Sequence, residues 1–377
     1  GGTLSKYFPY RPNDFLKHKI ILYLKSIGVK YFCLGGGETI DDGIYKYKKS
    51  FSKNGDVNFY IGKKIYNKEY LNNITEHLNG PQIYIKRDDC TGLATGGNKT
   101  RKLEFLMPDA IKNQADLVVT VGAVQSNHTR QTAAACAKLG LKCLIVLEQR
   151  LKDAPNVYMT SGNVFLDKLF GAEVILCPSE KDVKEYAEEI MGERKNQGAN
   201  PYYIPVGGSN HIGELGYIEC MREIIEDDKD NSFTHIVLAS GSGGTHAGSI
   251  AGKIYYKSNI KIVGISVKDK KHDQEEKVFK LAKEGCEYIQ CDEPKREDIL
   301  VFDDYVGGGY GVPTNGMNEA VKLMATKEAI LLDPVYSGKG FAGLIDLIQN
   351  KYFRDTDKIL FIHTGGAVSL HAYEWAF

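Results

Sequence analysis

The chain carries no net charge: across 377 residues, 48 lysines and arginines meet 48 aspartates and glutamates. Proteins that grip nucleic acid or an anionic membrane surface normally show a basic excess, so the balance argues against both partners. No run of about 18 apolar residues occurs, which excludes a membrane-spanning helix. The opening residues show no charged-then-apolar leader, and because they begin Gly-Gly the chain is read as a trimmed or partial product. Paired cysteines are missing too. Cys33, Cys90, Cys136, Cys143, Cys177, Cys220, Cys286 and Cys291 form no CxxC, and no Cys/His set has zinc-ligand spacing. Several sit in apolar stretches, where a free cysteine acts as a small hydrophobe. The expectation is a reduced, cytoplasmic protein without a structural metal. There are no internal repeats and no low-complexity linkers. The length allows a large core and two or three domains.

From about residue 83, short apolar runs alternate with helical patterns. Ile83–Lys86, Leu117–Gly122, Cys143–Leu147, Glu173–Cys177, His235–Ala239, Lys261–Ile265 and Lys358–Ile362 read as strands. Asn127–Leu139, Val183–Lys195, Ile212–Glu226, Thr245–Tyr256 and Lys277–Glu284 read as helices. That rhythm predicts an α/β fold with a mostly parallel, buried sheet. Ligands of such sheets bind beyond the strand C-termini, in the loops that open the helices. Three of those loops are rich in glycine and hydroxyls: VQSNHTRQTAA at 124–134, SGSGGTHAG at 240–248 and HTGGAVS at 363–369. Singly each is an ordinary tight turn. Together they point to one site.

In SGSGGTHAG, small residues let backbone N–H groups turn inward at a helix start, which suits a phosphate monoester. Ser242 and Thr245 add hydroxyls around Gly243 and Gly244. The GxxxxGK[ST] pattern of a nucleotide-binding P-loop is absent. Upstream, GGNKTRKLEFL at 96–106 delivers Lys99 to the start of a helix behind two glycines and Asn98. A free lysine, with a pKa of about 10.4, is a poor nucleophile at neutral pH. Arg101 and Lys102 are expected to lower that value by like-charge repulsion. An amine so activated forms Schiff bases with aldehydes, and an aldehyde bearing a phosphate is pyridoxal 5'-phosphate (PLP).

Residues from about 76 to 377 resemble PLP-dependent enzymes of the tryptophan-synthase-β type (fold type II). They are most similar to the family of D-cysteine desulfhydrase and 1-aminocyclopropane-1-carboxylate deaminase. The residues carrying this are IYIKRDDCTGLATGGNKTRKLEFL (83–106), GAVQSNHTRQTAAACAKLG (122–140), GGGYGVP (307–313), DPVYSGKG (333–340) and HTGG (363–366). The resemblance implies two open, mostly parallel sheets with helices on both faces. It divides this part into a large PLP-binding domain, 76–110 with 206–377, and a small α/β domain, 111–205. It implies that Lys99 carries the cofactor and that Asn127 bonds its 3'-oxygen. Ser126 would contact the substrate carboxylate or assist proton transfer. Lys102 and Ser242, Gly243, Gly244 and Thr245 would bind phosphate. Tyr310 and Tyr336 would flank substrate and cofactor as acid/base or stacking groups, although either alone could equally be a packing residue. A homodimer is also implied.

Two positions discriminate within the family. The deaminase pattern has Glu and Leu where this chain has Ser337 and Thr364, as in desulfhydrases. A hydroxyl near the pyridine nitrogen leaves it largely unprotonated and weakens the electron sink. That suits β-elimination from D-cysteine to pyruvate, hydrogen sulfide and ammonia better than opening a cyclopropane. The alternatives are the cyclopropane deaminase, a lyase on another β-substituted amino acid such as cysteate, and a catalytically silent PLP-binding protein. Residues 1–75 differ: a helical pattern at Phe15–Ile27, a strand at Lys30–Leu34 and a glycine turn at 35–37. Segments 12–52 and 59–67 resemble the C-terminal end of a GNAT/FemAB-type acyltransferase, either as a natural fusion cut short or as a gene-model chimera. No transferase activity is expected of this partial segment.

Overall fold

The computed structural model describes residues 69–377 apart from Lys152 and Asn231, together with Ile20, Leu22, Tyr23, Lys25 and Ser26. Those five residues of the expected Phe15–Ile27 helix are helical. The rest of that helix, the Lys30–Leu34 strand and the acyltransferase-like segments lie outside the described residues. The chain divides into two compact units, Gly1–Lys63 and Lys64–Phe377. Glu69–Tyr70, expected within the 1–75 appendage, instead pairs with a strand of the second unit, so that unit begins earlier than residue 76.

The strands of the second unit are β1 Glu69–Tyr70, β2 Gln82–Arg87, β3 Leu117–Ala123, β4 Lys142–Glu148, β5 Glu173–Leu176, β6 Pro201–Ile204, β7 His235–Ser240, β8 Lys261–Ser266, β9 Leu300–Phe302 and β10 Lys358–His363. Its helices are α1 Asn72–Leu78, α2 Asn98–Lys112, α3 Asn127–Leu139, α4 Asn156–Thr160, α5 Gly162–Leu169 and α6 Val183–Asn196. They continue with α7 His211–Asp227, α8 Gly244–Tyr255, α9 Lys271–Ile289, α10 Asn315–Glu328 and α11 Ser337–Gln349. The strands form a six-stranded sheet, ordered β1-β2-β10-β7-β8-β9, and a four-stranded sheet, ordered β5-β4-β3-β6. All pairings are parallel except β1 with β2.

Burial on both faces explains why these strands read as continuous apolar runs. In β10, Ile359 and Phe361 enter one core with Phe341 and Leu344 of α11, whereas Leu360 and Ile362 enter another with Tyr217 of α7 and Val278 of α9. In β3, Val118 faces one core and Val119 and Val121 the other. Strand β6 went unanticipated because it opens on Pro201. Proline lacks a ladder donor and is tolerated at the first residue of an edge strand, which is its place here. The parallel order brings the loops after β3, β7 and β10 to strand C-terminal ends, beside the turn that starts α2. Among the described residues no helix is long and apolar enough to cross a membrane.

Candidate active site

The turn that presents Lys99 is held from several sides. Gly96 has φ +74, and a Cβ there would sit 1.9 Å from the Asp89 carbonyl oxygen. Gly97 has φ +134, and a Cβ there would sit 2.5 Å from Gln131 Nε2. Only glycine fits both positions. Just before them Ala94 and Thr95 also adopt positive φ, 47° and 68°, a costly conformation for residues with a Cβ. The fully buried Arg130 of α3 secures this stretch: its guanidinium donates to Thr95 Oγ1 at 2.8 Å and to the Gly96 carbonyl at 3.1 Å.

Lys99 follows on the first turn of α2. Its Nζ donates to Asn98 Oδ1 at 3.0 Å and lies 5.9 Å from the centre of the Tyr336 ring. Asn98 joins three loops, since its backbone N–H donates to Thr364 O at 3.0 Å and its Nδ2 to Thr245 Oγ1 at 2.9 Å. Burial pushes the Lys99 ammonium down to about 8; the charge of Asp333 opposes the shift and that of Arg130 adds to it. The expected cause was different. Arg101 does not supply the repulsion, because its guanidinium donates to Asp88 at 2.9 Å and, through two nitrogens, to Glu223 at 2.9 Å each. Lys102 feels Lys99, but its own ammonium is pushed well below the ordinary range, first by burial.

Lys99 lines two adjoining cavities. One is walled by the 240–245 loop, Asn98, Asn127 and Thr364. The other is walled by Ser126, Tyr310 and Arg150 among others. Lys99, His128, Gly241, Ser242 and Tyr336 border both. Of the residues singled out in sequence, Lys99, Asn127, Ser242, Gly243, Thr245 and Thr364 therefore border the first cavity, and Ser126 and Tyr310 the second. Three sit elsewhere. Lys102 stands behind the loop, donating to Gly207 O at 3.0 Å and Ser209 Oγ at 3.3 Å. Gly244 makes room for it: a Cβ there would come within 2.8 Å of Lys102 Nζ. Ser337 borders neither cavity. Its hydroxyl donates to Asp333 Oδ1 at 2.6 Å and accepts the Asp333 N–H at 2.7 Å, so it is spent on the start of α11. The one discriminating hydroxyl residue at the cavity is Thr364.

The hydroxyls have defined partners. Ser126 caps α3, its Oγ accepting the Thr129 N–H at 3.3 Å. Asn127 Oδ1 accepts from Asn163 Nδ2 at 3.0 Å, which leaves the Asn127 amide N–H groups to face the cavity. The hydroxyls of Tyr310 and Tyr336 stand 2.6 Å apart. Burial raises both phenols above their usual range, so both are protonated at neutral pH. One proton bridges the two oxygens and the other is free to be donated.

Sequence reasoning missed three supports. Arg130 is one. The second is Lys339, fully buried on α11, whose Nζ donates to Val306 O at 2.7 Å and Gly309 O at 2.9 Å and so holds the loop ahead of Tyr310. The third is His128, whose Nε2 meets Thr120 Oγ1 at 2.8 Å. Thr120 gives its own proton to Ile204 O at 2.9 Å, so His128 is the donor in that pair. Its Nδ1 is then an acceptor, buried and unpartnered within the protein. Burial, then the charges of Lys99 and Lys102, push its pKa well down and keep it neutral. Cationic residues inside a run of small, buried helix positions were the only available signal for Arg130 and Lys339.

An open α/β sheet pair with a half-buried lysine of lowered pKa beside a glycine-lined helix start has the groups that an enzyme holding a phosphorylated aldehyde needs. Known proteins of similar sequence and structure agree. A family model described as pyridoxal-phosphate dependent enzyme matches residues 67–365, and the chain belongs to that family. The crystal structure of an ACC deaminase homologue is 41% identical, covering 81% of this chain and 91% of its own, with a TM-score of 0.75. The processed form of threonine deaminase isoform 2 from Solanum lycopersicum is 18% identical, covering 82% of each chain, with a TM-score of 0.56. A hydrogen sulfide-producing enzyme from Fusobacterium nucleatum is 19% identical, covering 76% of this chain and 91% of its own, with a TM-score of 0.54. The last two show the fold alone.

PLP is the cofactor of this family, and the residues present fit it. Lys99 offers the amine, Asn127 offers amide N–H donors, and the Ser242–Thr245 turn at the start of α8 offers backbone N–H groups and hydroxyls to a phosphate.

Proposed function

We propose that the protein catalyses β-elimination from D-cysteine, giving pyruvate, hydrogen sulfide and ammonia. The observation that carries this reading is the absence of aspartate and glutamate from the walls of both cavities, among the described residues. Asp333, a close carboxylate in sequence to Tyr336, is consumed by the backbone N–H groups of Val335, Tyr336 and Ser337 and by the Ser337 hydroxyl. PLP, when bound, draws electrons from the substrate's α-carbon, and with no acid to protonate its ring nitrogen that pull is modest. A modest pull suits a substrate whose β-substituent leaves readily.

The chain's own groups supply the rest. The start of α3, with Ser126 and its flanking backbone N–H groups, receives the substrate carboxylate. Lys99, with its lowered pKa, takes the Cα proton once its amine is free. The free proton of the Tyr310–Tyr336 pair serves the departing sulfur. Preference for the D-enantiomer rests on the family resemblance.

A second reading, deamination of 1-aminocyclopropane-1-carboxylate, is favoured by the 41% identity to the ACC deaminase homologue. A substrate panel separates the two: D-cysteine yields pyruvate and sulfide, whereas the cyclopropane yields 2-oxobutyrate. Pyruvate from D-cysteine, lost in Lys99→Ala, supports elimination. Release of 2-oxobutyrate at the higher kcat/KM would overturn it.

A further inference from the structure

The second cavity holds more positive charge than chemistry at the α-carbon requires. Besides Lys99 it is bordered by Arg150, Lys268 and Lys277, and by no acidic side chain. These cations come from separate places: Arg150 just after β4, Lys268 from the loop after β8, and Lys277 from the second turn of α9. Their carboxylates stand outside the wall. Glu148 takes Arg150 Nε at 2.7 Å, while Asp269 pairs with Lys277 and lies 3.9 Å from Lys268. Three cations thus share two carboxylates. The crowding is felt: burial first, then the charge of Arg150, holds the Lys268 ammonium below its ordinary range, with Lys277 adding to the effect. The Arg150 guanidinium also lies 4.7 Å over the Tyr310 ring, whose hydroxyl meets that of Tyr336. The substrate carboxylate already has a receiver at Ser126, so this charge faces another part of the substrate.

We propose that Arg150, Lys268 and Lys277 form a leaving-group subsite that takes a β-substituent bearing its own negative charge, namely a thiolate, a sulfonate or a phosphate ester. The inference rests on the elimination reading and names its substrate class. In the step, a base removes the Cα proton and the C–H electrons form the Cα–Cβ double bond. The Cβ–X bond breaks with its pair on X: a sulfonate departs as sulfite, while a thiolate or a phosphate ester takes the free proton of the Tyr310–Tyr336 pair and departs as hydrosulfide or hydrogen phosphate. The resulting enamine takes up water and loses ammonia to give pyruvate. No oxidant or reductant is needed.

The test uses the full chain loaded with PLP and measures pyruvate from O-phospho-D-serine and from β-chloro-D-alanine, whose leaving group is neutral before cleavage. Arg150→Gln and Lys268→Gln are each expected to lower the ratio of kcat/KM, phosphate ester over chloride, at least tenfold. The Lys268 side chain is 42% exposed at the cavity rim, so its variant reports even where Arg150→Gln fails to fold. A second measurement needs no turnover: calorimetric binding of 3-sulfopropionate against butyrate. The unsubstituted protein is expected to prefer the sulfonate at least tenfold, and both variants to lose that preference. An unchanged ratio with equal binding of the two acids would overturn the subsite. So would an equal loss on both substrates accompanied by weaker PLP retention, which assigns these cations to the cofactor phosphate. If the unsubstituted enzyme releases no pyruvate from β-chloro-D-alanine, the elimination reading fails, while the binding comparison still decides the subsite.

Discussion

At the scale of single residues, the three cations of GGNKTRK have three different environments, and each predicts a different behaviour. Lys99 is half-buried, and desolvation holds its ammonium at about 8. Roughly one amine in ten is then neutral at pH 7, against about one in 2,500 for an ordinary lysine. Because the neutral amine attacks the aldehyde, PLP capture by the cofactor-free protein should accelerate as pH rises towards 8 and level off above it. Stopped-flow absorbance across pH 6 to 10 measures this; a rate still climbing tenfold per unit beyond pH 9 would remove the argument. Arg101 serves structure. It lies between Asp88, 1% exposed, and Glu223, which also takes the buried Lys86 at 2.8 Å, while Tyr217 donates to Asp88 at 2.6 Å. Arg101→Gln strands a buried carboxylate and should cost roughly 3–5 kcal/mol in chemical denaturation. Burial tends to raise the Glu223 carboxyl, but Arg101 and Lys86 outweigh it and hold it at about 2. A depressed carboxyl stabilises the fold above its unfolded value, about 4.3. That contribution should fade as pH falls from there towards 2, and the fading should be smaller in Arg101→Gln.

At the scale of elements, the site depends on two clamps between helices and loops. Lys339 on α11 ties down Val306 and Gly309, and so fixes where Tyr310 stands. Lys339→Met leaves two carbonyls without that donor, at a cost of about 1–3 kcal/mol. Because the loop carries a site tyrosine, kcat is expected to fall roughly tenfold even at temperatures where circular dichroism reports a folded protein. Full kcat in a destabilised Lys339→Met protein would limit the clamp to stability. Arg130 does the same for the strained turn at Ala94–Gly97, from a helix that opens with Ser126 and Asn127. One helix thereby positions both Ser126 at the cavity and the lysine turn.

At the scale of the whole molecule, the unit Lys64–Phe377 encloses its own cores on both faces of both sheets. A fragment beginning at Lys64 is therefore expected to fold cooperatively and to take up one PLP per chain. The visible absorbance of its Lys99–cofactor linkage should match that of the full chain. Loss of cofactor uptake on removing residues 1–63 would overturn that expectation.

The sequence alone determined the alternating architecture, the three loops and the lysine. Buried parallel strands must be apolar on both faces, tight strand-to-helix turns must be small, and an amine delivered by Gly96-Gly97 is a local pattern. Seven strands were legible for that reason, while β1, β6 and β9 were too short or too proline-marked to stand out. The tertiary structure decided which charges meet. Arg101 and Lys102 follow Lys99 in sequence, yet one is bound to carboxylates and the other stands behind Gly244, while the repulsive cation is Arg130 from another helix. Ser337 and Thr364 look equivalent as hydroxyls, yet only Thr364 borders the cavity, because the start of α11 claims the Ser337 hydroxyl. Charge and hydrogen bonding act through space over a few ångströms, and only the folded chain sets those distances.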